Sequence, residues 1–282
     1  MKFTKMQGIG NDYVYVDCFK ENLANPAEIS KFVSNRNFGI GSDGLILVSP
    51  SEIADCRMDI YNADGSRAEM CGNGIRCVGK FLWDSGYVKT SVATVETMAG
   101  VKKLDLIVNN GECTGAIVDM GEPELEPKKI PVVCSEDTMI DKELIVGGKT
   151  YNVTCISMGN PHCVTFVEDA EGLNLPALGP LFENHVAFPA RINTEFVTVK
   201  DRNHVRMRVW ERGSDETMAC GTGACATAVA AILNNHCDRE IIVTLNGGDL
   251  KITWDEVTNH VFMEGPATTS FTGEIKLPEG IK

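Results

Sequence analysis

The chain has 282 residues, 43% of them hydrophobic and 23% charged, which suits one large globular domain or two of about 140 residues. Its net charge of -13 disfavours nucleic acid and anionic membrane as partners, since both need a basic face; small anionic ligands stay open. No apolar run approaches the ~18 residues that span a bilayer, and Gln7, Gly8, Gly10, Asn11 and Asp12 break up the start, so no apolar signal core is expected.

In chain order, the first expected strand is YVYVDCF from Tyr13, which alternates apolar and polar residues. A helix is expected after Pro26. GIGSDG, from Gly39, lacks the Lys-Ser/Thr of a phosphate loop and leads into the strand DGLILVS. CRMDIYN from Cys56 follows as a strand. The turn Cys71-Gly72-Asn73-Gly74 then opens a mostly apolar helix, GIRCVGKFLWDSG, and KKLDLIVNN and TGAIVDM return to strand. A solvated linker, GEPELEPKKIP, marks the expected boundary near Met120. Beyond it come HCVTFVE, a helix after Pro176, then EFVTVKD and VRMRVWE. A second turn, Cys220-Gly221-Thr222-Gly223, opens the helix GACATAVAAILNN, and EIIVTLN, LKITWDE and HVFMEG close the series. Gly, Asn, Asp and Pro punctuate these strands as in antiparallel meanders.

Cys71 and Cys220 are 149 residues apart, and the same offset maps Gly10-Asn11 onto Gly159-Asn160, Arg57-Met58 onto Arg206-Met207 and Ile60-Tyr61 onto Val209-Trp210. That period is too long for a solenoid. It points to an α+β chain of two pseudo-symmetric domains, each a mostly antiparallel sheet wrapped around a central helix. The expected domains are 1–119, joined by the tail 265–282, and 120–264.

The eleven cysteines include no Cys-x-x-Cys pair, which argues against zinc ribbons and thioredoxin-type motifs. Reduced thiols in a cytoplasmic protein are expected. Most, Cys77 and Cys225 included, read as small buried hydrophobes. Cys71 and Cys220 differ because each stands at a helix start. Unpaired N–H groups and a partial positive charge gather there, and glycine lets a ligand approach the backbone. Such a turn is an anion cradle with a thiol at its lip, whose pKa the helix is expected to lower toward neutrality. If two such turns hold one carboxylate between them, a thiolate can take a proton from one face of the neighbouring carbon while a thiol returns one to the other. The N–H groups would then stabilise the carbanionic transition state.

The segments YNADGSRAEMCGNGIRC, MGNPHCV and WERGSDETMACGTGA resemble the signatures of the diaminopimelate epimerase family, and GIGNDYVYVD and GIGSDGLILV fit it too. The resemblance covers essentially the whole chain in order. It implies a two-domain isomerase that uses no cofactor and no metal, interconverts LL- and meso-diaminopimelate for lysine and peptidoglycan synthesis, and forms a homodimer. It assigns Cys71 and Cys220 as the catalytic thiols, with His162 and Glu211 assisting proton transfer. Gly72, Asn73, Gly221 and Thr222 would hold the reacting carboxylate. Asn11, Asn62, Asn160, Asn193, Glu211 and Arg212 would bind the rest of the substrate. Arg212 suits the distant carboxylate and Glu211 the ammonium. Two positions depart from the family pattern: Gly44 stands where some members have Gln, and Phe271 where many have Tyr.

The rivals are weaker. Proline and hydroxyproline racemases usually carry His where this chain has Asn73. Phenazine-type isomerases lack the cysteine pair. A pyridoxal-phosphate racemase would need a phosphate cradle beside a lysine, and a thiol-based sensor would have no use for the Asn and Arg residues.

Overall fold

A computed structural model describes residues 1–281. Contacts divide the chain into two compact units, Met1–Val118 together with the tail from Glu264, and Asp119–Met263. The first unit contains β1 (Lys2–Gly8), β2 (Asn11–Asp17), α1 (Pro26–Ser34), β3 (Gly44–Ser49), β4 (Cys56–Asn62), the two-residue β5 (Arg67–Ala68), α2 (Gly72–Asp84), β6 (Val92–Thr97), β7 (Gly100–Asn109) and β8 (Glu112–Asp119). The second contains β9 (Lys142–Val146), β10 (Lys149–Ser157), β11 (Pro161–Phe166), α3 (Leu175–Glu183), β12 (Asn193–Asp201), β13 (His204–Glu211), the short β14 (Asp215–Glu216), α4 (Gly221–Leu233), β15 (Glu240–Leu245) and β16 (Gly248–Trp254). β17 (Val261–Pro266) runs across the second boundary, and β18 (Thr268–Glu274) pairs antiparallel with β1.

Within the first unit the neighbours run β18-β1-β2-β3-β4-β6-β7-β8, antiparallel except at β2–β3 and β4–β6. Within the second they run β9-β10-β11-β12-β13-β15-β16, parallel only at β11–β12 and β13–β15. Parallel neighbours need a crossover. The helices supply all four: α1 joins β2 to β3, α2 joins β4 to β6, and α3 and α4 do the same in the second unit.

The strands beside these helices are buried on both faces, and period-two alternation divides their side chains. In the first unit Val14, Val16, Leu45 and Leu47 pack with Ile29 and Val33 of α1. The intervening residues face α2: the Tyr15 hydroxyl donates to Gly74 O at 3.1 Å, and a β-carbon on Gly74 would lie 2.9 Å from Ile46 Cδ1. In the second unit Phe182 of α3 packs with Tyr151, Phe196 and Trp210, while α4, rich in Ala, is buried along most of its length. Small residues let a helix sit close on a sheet. Gly179 of α3 is the tightest case, because a β-carbon there would lie 2.2 Å from Trp210 Cδ2.

Strands β1, β6, β9 and β10, and the two-residue β5 and β14, were not expected from sequence alone. In β1 the polar Lys5 is turned inward, 6% exposed, with its ammonium on Gly41 O and Asp12. Gly179→Ala should overpack α3 against Trp210 and lower the unfolding free energy by about 1–3 kcal/mol. A urea titration followed by Trp fluorescence would measure it, and an unchanged midpoint would contradict this packing.

Candidate active site

Each cysteine turn is a helix cap. Cys71 is extended (φ -138°, ψ 113°) and its Sγ accepts from the Gly74 N–H at 3.3 Å. Cys220 repeats this (φ -124°, ψ 108°) and accepts from the Gly223 N–H at 3.4 Å. Gly72 and Gly221 are the first helical residues. A sulfur thus occupies the capping position that Ser, Thr, Asp or Asn usually fills.

Around Cys71, the thiol donates to Asn11 Oδ1 at 3.2 Å, while Asn11 Nδ2 donates to Asp43 Oδ2 at 2.7 Å. Asp43 therefore fixes which end of the amide meets sulfur. Arg76, fully buried one turn into α2, donates to Gly72 O, Asn73 Oδ1 and Pro266 O at 3.0–3.2 Å. It orients the Asn73 amide and puts a fixed cation under the turn. Asn62 ends β4, and its Nδ2 donates to Ser66 Oγ at 3.0 Å. Gly44 pairs with both Tyr13 and Asn62. A β-carbon on it would lie 2.2 Å from Tyr61 O and 2.9 Å from Tyr13 Cε1. Gln has no room here beside Tyr13.

Around Cys220, the Thr222 hydroxyl lies 3.6 Å from Sγ. Glu211, at the end of β13, accepts from the Thr217 hydroxyl, and its carboxyl faces the Cys220 thiol. His162 is completely buried; its Nδ1 is 2.7 Å from Glu195 Oε1 and its Nε2 is 3.0 Å from Asn160 Oδ1. Asn193 lies beside His162 in the β11–β12 register. Its Nδ2 donates to Pro161 O at 2.8 Å and its Oδ1 accepts from the Arg212 N–H at 2.9 Å. The amide thus ties together the backbone segments that carry His162 and Arg212. Arg212 itself is exposed, with Nη1 donating to Ala190 O at 2.9 Å.

The expected lowering of the thiol pKa is not what the surroundings produce. Burial pushes the Cys71 thiol up; the Gly74 N–H, Tyr13, the Asn73 N–H and the Arg76 charge pull it partly back. Cys220 is pushed up further, first by burial and then by Glu211, with any charge on Glu195 adding to it, against weaker help from Thr222 and Gly223. Desolvation outweighs the field of one helix terminus in both places. Burial also raises the Glu211 carboxyl.

The family model for diaminopimelate epimerase matches residues 3–126 and 154–270. The chain belongs to the diaminopimelate epimerase family. It is 53% identical over 277 residues to a diaminopimelate epimerase of Methanococcus maripaludis, covering 98% of this chain and 100% of that one. It is 55% identical over 284 residues to one of Agathobacter rectalis, covering 98% and 100%. Among solved structures, a Bacillus anthracis phenazine biosynthesis protein of the PhzF family superposes with a TM-score of 0.69 at 18% identity, covering 98% of this chain and 99% of that one. A hydroxyproline epimerase from Agrobacterium vitis gives 0.69 at 14%, covering 98% and 90%. These two share the fold, the two-domain α+β architecture of the diaminopimelate epimerases.

In this family member the expected site residues are divided between the units. Asn11, Asn62, Cys71, Gly72 and Asn73 lie in the first, and Asn160, His162, Asn193, Glu211, Arg212, Cys220, Gly221 and Thr222 in the second. Sequence reading passed over Tyr13, Asp43, Arg76, Glu195 and Thr217. The 149-residue offset could have found two of them, since it equates Tyr13 with His162 and Ile46 with Glu195. In the ligand-free protein, iodoacetamide at mildly alkaline pH should label Cys71 before Cys220, because ionisation is more strongly opposed at Cys220. Peptide mass spectrometry measures the order; faster labelling of Cys220 would contradict the electrostatics described above.

Proposed function

We propose that the chain interconverts LL- and meso-2,6-diaminopimelate, with Cys71 and Cys220 as the two proton-transfer groups and no cofactor. The observation that carries this reading is the duplicated cap, the same thiol at the start of the same buried helix in both units. Epimerisation at an α-carbon needs a base for one face and an acid for the other. One sulfur as thiolate takes the α-proton, and the other as thiol donates its own proton to the opposite face. The thiolate thereby becomes a thiol and the thiol a thiolate, so the reverse reaction starts from the mirror-image state. Charge that develops on the substrate carboxylate is met by N–H groups of the glycine turns, Gly72-Asn73 and Gly221-Thr222.

Asn11 serves as acceptor for the Cys71 S–H, and Glu211 stands as the polar partner of Cys220, with His162 assisting beyond it. The distant amino-acid end of the substrate suits Arg212 for carboxylate and Glu211, Asn62, Asn160 and Asn193 for the remaining polar atoms. A substrate lacking the second head group would leave such groups unpaired, which is costly. A cytoplasmic homodimer is part of the same proposal. Phe271, half exposed on β18 and edge-on to Phe3 at 5.9 Å, offers it an apolar contact.

The test is proton NMR of LL-diaminopimelate in heavy water with the reduced protein and nothing added. Loss of the α-proton signal with appearance of the meso isomer is expected. Exchange with proline or hydroxyproline instead would move the chain to the racemases, and no exchange with any of them would refute the reading. Cys71→Ala and Cys220→Ala should each lower turnover at least about a hundredfold while far-UV circular dichroism stays unchanged. Arg212→Ala should raise KM roughly 10- to 100-fold, the worth of a charged hydrogen bond; unchanged kinetics would remove Arg212 from the substrate clamp.

A further inference from the structure

The duplicated fold contains its own control. The 149-residue offset equates Gly74 with Gly223 and Ile46 with Glu195. A β-carbon on Gly74 would meet Ile46 Cδ1 at 2.9 Å; one on Gly223 would meet Glu195 Oε1 at 2.6 Å and Cys220 Sγ at 3.2 Å. The space beneath the first helical turn is thus filled by a hydrocarbon in one unit and by a carboxyl group in the other. Packing alone is served by Ile. A carboxyl in a fully buried position costs desolvation that Ile does not, so its presence calls for a chemical reason.

The hydrogen-bond count supplies one. Asn160 Oδ1 has no proton to give, so the 3.0 Å contact is made only if His162 Nε2 carries the hydrogen. Between Nδ1 and Glu195 Oε1, 2.7 Å apart, there is then one proton to place. On Nδ1 it would make an imidazolium beside a carboxylate, and the second carboxylate oxygen, Oε2, is buried with no partner among the described residues. A bare buried anionic oxygen is expensive. On Oε1 the proton leaves Oε2 a neutral carbonyl, which is far cheaper to leave unpaired.

We propose that Glu195 is a neutral carboxylic acid whose O–H donates to His162 Nδ1, locking His162 as its Nε2–H tautomer and thereby turning the Asn160 amide so that its NH2 is the end presented to substrate. Glu195 is a positioning residue, acting through His162 and Asn160. Burial pushes its carboxyl above the usual carboxylate range, in agreement. The groups that face it are Glu211 of β13, Cys220 at the start of α4, and Cys163 of β11 with its neighbour Cys155 of β10. An anion at Glu195 would add to Glu211 in opposing ionisation of Cys220; a neutral acid does not.

The protonation state does not depend on the proposed function, but the kinetic consequence rests on it, so the test has two arms. Nitrogen-15 NMR of the histidine rings in the intact protein, with His162 assigned by its loss in His162→Gln, should give the neutral Nε2–H pattern at neutral pH. Glu195→Gln, whose amide N–H can replace the acid O–H, should keep that pattern, and Glu195→Met should lose it. An imidazolium or Nδ1–H pattern in the unaltered protein would overturn the proposal. In turnover, Glu195→Gln should keep kcat/KM within about tenfold while Glu195→Met loses more, roughly 10- to 100-fold for a disordered donor. Equal losses in both would mean that the negative charge itself is needed, and would overturn it as well. Absence of epimerisation in every form would refute the function and leave the NMR arm to decide the role of Glu195.

Discussion

A buried helix cannot leave its first N–H groups bare, and here a sulfur atom at the N-cap takes one of them. The choice is a poor one for stability. Sulfur is a weak acceptor, and an oxygen-bearing cap is typically worth about 1 kcal/mol over a residue that cannot cap. The rest of each unit makes the weak cap tolerable: a helix closely surrounded by sheet, with glycines in its first turn that admit strand side chains, and in the first unit the Tyr15 hydroxyl on Gly74 O. What the arrangement gains is an acceptor whose strength changes with its charge. The N–H that contacts a thiol feebly becomes a charge-assisted donor when the sulfur ionises.

The two units keep this backbone device and differ in the polar and charged groups placed around it. Beneath Cys71 lies the buried cation Arg76, anchored on two carbonyls and Asn73. The equivalent residue in the second unit is Cys225. Around Cys220 stand Glu211, Glu195 and His162, where the first unit has Asn62, Ile46 and Tyr13. The two units share the geometry of the cap, while their surroundings oppose ionisation more strongly at Cys220 than at Cys71.

The repeat, the two central helices and most of the strands were legible because they rest on local signals: a constant offset, apolar alternation, and glycine before an apolar run. β6 and β10 alternate as well, in VATVET and KTYNVTCIS, but the exposed Val92 and the buried Thr97 and Thr154 blur the contrast that marks a strand. Glu195 was passed over for another reason. It opens the apolar run EFVTVKD, where a charged residue reads as a solvated strand end; beyond its equivalence with Ile46, it is the hydrogen bond with His162 and the approach to Gly223 that show it points inward. Asn193 kept its place but not its expected freedom, since both ends of its amide hold backbone.

The thiol pKa was the largest misjudgement, and its correction bears on catalysis. A helix N-terminus alone favours thiolate, yet dry, apolar surroundings cost more than one terminus returns. For a group that must remove a proton from carbon this is no handicap. An α-proton of an amino acid is very weakly acidic, and by Brønsted behaviour a thiolate formed against a raised pKa is the stronger base. The corresponding loss is in the fraction ionised. Arg76 and the amide donors reduce that loss at Cys71, and a neutral Glu195 would avoid adding to it at Cys220. The carboxyl group would then serve the second thiol by staying uncharged, and its buried, half-paired setting is what keeps it so.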